Sequence, residues 1–122
     1  MYMRHSIILA TRLKRKIFLA GSIPPYVREC AEAALSDARC VLRDIQFFDF
    51  GCIFYVDAPD TVSSEEIART IRIGTSKPVR ERFMELWSIP SLWTKRFCDA
   101  GDASAEDARA KAAEFFATVK SR

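Results

Sequence analysis

Two runs of β-branched, aliphatic and aromatic residues, 40–48 (CVLRDIQFF) and 52–57 (CIFYVD), are separated only by Asp49-Phe50-Gly51. Parallel neighbours need a crossover of a dozen residues or more, so a link this short makes the pair an antiparallel hairpin. Pro59 closes the second run. The rest of the chain has to be arranged around this hairpin.

Residues 3–10 (MRHSIILA) end in a similar apolar run and predict a strand. The basic turn TRLKRK follows. The segment IFLAG then predicts a second short extended stretch, stopped by Gly21. Pro24 and Pro25 suit the first turn of a helix, where the missing N–H would be unpaired anyway. Val27, Cys30, Ala31, Ala34, Leu35 and Ala38 continue that helix on one face. After the hairpin, Ser63 and Glu66 have capping-box spacing and start a second helix, with Ile67 and Ile71 on its buried face. An interruption is expected at residues 73–76, with Val79, Phe83 and Leu86 resuming the stripe. Residues 91–98 (SLWTKRFC) predict the last strand. Ser104 and Asp107 cap a final helix whose apolar face holds Ala108, Ala112, Phe115 and Val119. The order strand, helix, two strands, helix, strand, helix predicts an α+β class. It is a ferredoxin-like antiparallel sheet with helices on one face and an extra C-terminal helix. A length of 122 residues fits one domain, 1–122.

The net charge of +3 says little about partners; its distribution says more. No acid precedes Glu29, whereas Arg4, Arg12, Lys14, Arg15, Lys16 and Arg28 all do. Residues 67–80 hold Arg69, Arg72, Lys77 and Arg80 without an acid, and acids gather from Asp99 onward. Such asymmetry points to an anionic partner on one side. The competing reading is a set of solvated helix faces. The four cysteines, at 30, 40, 52 and 98, lack metal-site spacing and read as reduced core residues of a cytoplasmic protein. The N-terminal apolar run is too short for a membrane span, so no membrane partner is expected. All four glycines are isolated, which argues against a phosphate loop. No cofactor is expected.

Three segments resemble the single-tyrosine HUH transposases, the 200/605 insertion-sequence family and its repeat-associated relatives. TRLKRKIF at 11–18 is similar to that family's TKYRRKVF. RTIRIGTSKPVR at 69–80 is similar to LKGxTSRxLR, and SLWTKRFCDAG at 91–101 to LWSRGYFVxTVG. The resemblance implies a homodimer that binds hairpin or single-stranded DNA. Arg12, Lys14, Arg15, Lys16, Arg72, Ser76 and Lys77 would contact phosphates, joined by Lys95 and Arg96. Trp93 lies beside Lys95 and Arg96, but Trp93 and Phe97 both read as core residues.

The catalytic motifs of that family are missing. Its paired histidines, in the pattern DHVHL, fall on Asp49-Phe50-Gly51-Cys52-Ile53, so Phe50 and Cys52 stand where a Mg²⁺ or Mn²⁺ would be held. Phenylalanine cannot ligate, and a lone thiolate suits softer metals. The single histidine, His5, reads as structural. The family's tyrosine lies on the final helix; the tyrosines of this chain are Tyr2, Tyr26 and Tyr55, and the matching place falls on Lys111 or Phe115. No catalytic residue and no metal are therefore assigned. The leading reading is an inactive transposase-like DNA-binding protein that acts as an accessory or regulatory factor. One alternative is a ferredoxin-like homodimeric interaction or small-ligand module. Another is an active transposase rebuilt on Asp49, Cys52 and Asp57.

Overall fold

The computed structural model describes residues 1–19 and 21–119. Four strands, β1 (Tyr2–Thr11), β2 (Val41–Phe48), β3 (Gly51–Pro59) and β4 (Trp93–Asp99), form one antiparallel sheet in the order β2-β3-β1-β4. Helices α1 (Ile23–Asp37), α2 (Ser64–Arg82) and α3 (Ala105–Ala117) complete the α+β arrangement expected from the element order. β1 and β3 are the inner strands; over residues 7–10 of β1 and 52–56 of β3 both faces are covered, which is why those stretches are continuously apolar rather than alternating. On one face Ile7, Leu9, Cys52, Phe54 and Val56 pack beneath α1 and α2. On the other, Ile8, Ala10 and Ile53 pack against Ala108, Ala112, Phe115 and Phe116 of α3. The extra helix thus covers the opposite face and makes three layers.

The hairpin turns on Asp49 and Phe50 alone, with Phe48 opposite Gly51. Neither turn residue has a positive φ, so this is not the mirror-image turn that two-residue hairpins favour. The turn is braced instead by the end of β1: the Thr11 N–H donates to the Phe50 carbonyl at 2.8 Å.

Three local expectations need correction. The segment IFLAG is not extended: residues Arg12–Lys14 and Ile17–Leu19 form two 3-10 turns, and Ala20 lies outside the described residues. Both edges of β1 are already taken by β3 and β4, so this stretch has no strand to pair with. It places Phe18 in the core, 5.4 Å from the Phe47 ring and 5.7 Å from that of Trp93. The second helix is not interrupted at residues 73–76; α2 runs through them and past Pro78. At Gly74 the two helices α1 and α2 approach closely, since a Cβ there would lie 2.3 Å from the Ala34 Cβ. Finally, the helical stripe does not continue beyond α2. Phe83 is extended, and Leu86 sits in a separate 3-10 turn, Met84–Leu86, as the chain bends back toward β4.

Candidate nucleic-acid interface

β4 is an outer strand, and it bulges. Leu9 pairs with Phe97 and Thr11 with Trp93, so between these pairs one residue of β1 is matched by three of β4. The bulge throws Thr94, Lys95 and Arg96 outward, as bulges beside binding sites commonly do. Two clefts flank the strand. One, of about 430 Å³, is lined by Arg12, Trp93, Lys95 and Arg96 together with Thr118 and Val119 after α3. The other, of about 210 Å³, includes Arg72, Ile73, Ser76 and Lys95.

Arg72, Arg80 and Arg96 have side chains held against the fold, and Arg12 is anchored through its backbone. The Arg12 N–H donates to the Leu92 carbonyl at 3.0 Å, tying the basic turn to the start of β4. Arg72 donates to the Lys95 carbonyl at 3.1 Å, and its burial, aided by Arg69, lowers its pKa from the ordinary arginine value. The Arg96 guanidinium lies over the Phe115 ring, 5.6 Å from its centre. Ser76 Oγ accepts the Leu92 N–H at 3.1 Å and Arg80 Nε–H at 3.3 Å, so it anchors the loop as well as lining the cleft. Arg80 also donates to the Ile89 carbonyl at 3.2 Å. A band of Arg12, Arg96, Lys95, Arg72 and Arg80 therefore follows the open edge of β4. Trp93 lies below it at 3% exposure, its indole N–H donating to Thr75 Oγ1 at 2.7 Å.

The remaining sites named from the sequence are dispersed. Lys14 adopts a left-handed conformation, φ 53°, and its ammonium lies over the Phe50 ring. Arg15 and Lys16 turn away from β4 into a cleft that includes Glu85. Lys77 is on the outward face of α2. Arg80 was counted in the basic run but given no role. Its link to Ser76 one helical turn earlier was the available signal.

Phe50 and Cys52 are not brought together. Phe50 is a turn residue packed edge-on against Phe116 on the α3 side, 5.3 Å between ring centres. Cys52 is fully buried on the opposite face, and that burial pushes its thiol well above the ordinary value, so it remains protonated. Asp49 is exposed. Asp57 lies five residues along β3, about 16 Å from Cys52 at strand spacing. Arg4 and Arg43 bracket it and hold its carboxyl below the usual range. Among the described residues, no three His, Cys, Asp or Glu side chains converge as a metal site. His5 Nδ1 is 2.6 Å from Asp99 Oδ2, and Asp99 Oδ1 accepts the N–H groups of Ser6 and Gly101, a tie between β1 and β4. Lys111 is exposed and Phe115 is buried in the α3 interface.

No family model and no curated protein matches the chain. Solved structures do. A candidate transposase from Deinococcus radiodurans R1 superposes with a TM-score of 0.86 at 12% identity, over 100% of this chain and 94% of that one. The fold is one that a transposase structure shares. A REP-associated tyrosine transposase, solved bound to a REP hairpin, matches with a TM-score of 0.60 at 12% identity, over 90% of this chain. This chain spans 62% of that protein's length. Identity this low shows the transposase-like fold and leaves chemistry to the residues. No helix among the described residues is long and apolar enough to cross a membrane.

Proposed function

We propose that this transposase-like chain binds hairpin or single-stranded DNA without cutting it, as an accessory or regulatory factor of a mobile element. The observation that carries this reading is the basic band along β4, in which Arg72, Arg80 and Arg96 are held by backbone or ring contacts and Arg12, Arg72, Lys95 and Arg96 line open clefts. Phosphate contacts of this kind position a strand without reading its sequence. A hairpin bound to a protein of similar fold supports the choice of ligand.

Absence of cutting is supported by the interface between α3 and the sheet. A nucleophile on α3 and metal ligands on β3 would have to share that interface. It is instead filled by Ile8, Ala10, Ile53, Ala108, Ala112, Phe115, Phe116 and Val119. The β3 positions on that side include Gly51, where an added Cβ would lie 2.5 Å from Phe116. The residues present do not fit a hard divalent cation. The four cysteines are unpaired thiols, consistent with the reducing cytoplasm.

A homodimer remains part of the reading. Because β4 would be occupied by DNA, the edge left for a second copy is β2, on which Val41 is exposed. Light scattering would test it, with a monomer mass at high micromolar concentration as the contrary result. The central test is incubation of purified protein with labelled hairpin DNA and Mg²⁺ or Mn²⁺. Salt-sensitive binding without a covalent adduct is expected. An adduct that survives denaturation would overturn the non-cutting reading, and absence of binding would overturn the DNA reading.

A further inference from the structure

We infer that Trp87 is a stacking platform for an unpaired nucleobase, set at one end of the basic band; this rests on the DNA-binding reading above. Leu86 and Ile89 on either side of it are buried at 3% exposure each, yet Trp87 is turned outward at 62%. Its position is not that of a loose side chain. The indole N–H donates to the Glu81 carbonyl at 2.9 Å, and the backbone N–H donates to the Met84 carbonyl at 3.1 Å. A ring held in place while exposed loses little conformational freedom when something stacks on it. Every base offers a π-face, so such a platform favours unpaired strands without selecting sequence.

Trp87 shares a cleft of about 430 Å³ with Arg80 and Glu81. Arg80 is bonded to Ser76, and Ser76 lines the cleft beside Lys95. The aromatic surface therefore continues the cationic path rather than forming a separate apolar patch. Glu81 also lines that cleft, and its negative charge disfavours phosphate there. A strand passing here keeps its backbone on the Arg80 side and turns a base toward the indole. The sequence reading gave Trp87 no role, because helical spacing treats the segment after α2 as more core.

The chain has two tryptophans, and Trp93 is buried, so long-wavelength emission reports on Trp87. The probes are an oligothymidylate without self-pairing and a blunt duplex of equal length. Oligothymidylate should quench that emission and shield it from iodide. Trp87→Ala should weaken oligothymidylate binding about ten- to a hundredfold, and Trp87→Phe should keep most of the affinity. Duplex affinity should be unchanged in both variants. Melting curves would confirm that both remain folded. Wild-type binding with silent Trp87 emission, or equal affinity in Trp87→Ala, would overturn this inference while leaving the DNA reading intact. Shielding that rises with protein concentration in the absence of DNA would assign the ring to a second copy and overturn it too. Failure of the wild type to bind either probe would remove the DNA reading itself.

Discussion

Changing Lys95 and Arg96 to alanine removes two of the five cations in the band while leaving the sheet intact. Both side chains are exposed on the bulge of β4, so the cost to stability is confined to the contact between Arg96 and Phe115, about 0.5–1 kcal/mol. If each of the five cations meets one phosphate of a single strand, binding should follow salt with a log–log slope of about −3.5, at about −0.7 per phosphate. The double variant should flatten that slope by about 1.4. A fourfold rise in salt would then cost the wild type about a hundredfold in affinity and the variant about twentyfold. The control is Arg15→Ala with Lys16→Ala. It also lowers the formal charge from +3 by two, to +1, but those residues face the cleft containing Glu85. Its slope should change by less than about half a unit. Fluorescence anisotropy of a labelled hairpin across a salt series measures all three proteins. Equal flattening in the two variants would mean that net charge, and not the β4 band, sets the affinity.

Gly74→Ala should destabilise the fold by about 1–3 kcal/mol despite alanine's better helix propensity, because the new methyl meets the Ala34 Cβ. Thermal melting should show the loss and its partial recovery in combination with Ala34→Gly. Thr75→Val should cost about 1–3 kcal/mol in urea unfolding, since the buried Trp93 N–H loses its acceptor. Asp57 is held below its ordinary pKa, first by the hydrogen bond from Arg4 and also by Arg43. A depressed folded-state pKa gives stability that is present above the unfolded value of 3.8 and lost as pH falls through the folded value. Asp57→Asn should therefore lower stability at neutral pH and flatten the decline below about pH 4.

The sequence alone determined the framework. The three-residue link forced the hairpin, the spacing of Ser63 and Glu66 placed the start of α2, and the paired prolines placed the start of α1. These are local constraints, decided by neighbouring backbone groups, and they survive folding unchanged. Tertiary structure decided what local pattern could not. Gly74 looks like a helix break along the chain, but it is where two helices meet, and only the position of Ala34 reveals that. IFLAG has strand composition, but both edges of β1 were already occupied. On a regular strand Phe50 and Cys52 would share a face, but Phe50 lies in the turn and the two pack in opposite layers. The basic run at residues 12–16 is one cluster in sequence, yet a left-handed Lys14 splits it among three directions. The site was only partly legible because charge clusters are defined in space: Arg12, Arg72, Arg80, Lys95 and Arg96 come from three parts of the chain. Strand pairing and the bulge of β4 bring them together, and those depend on contacts between residues far apart in sequence.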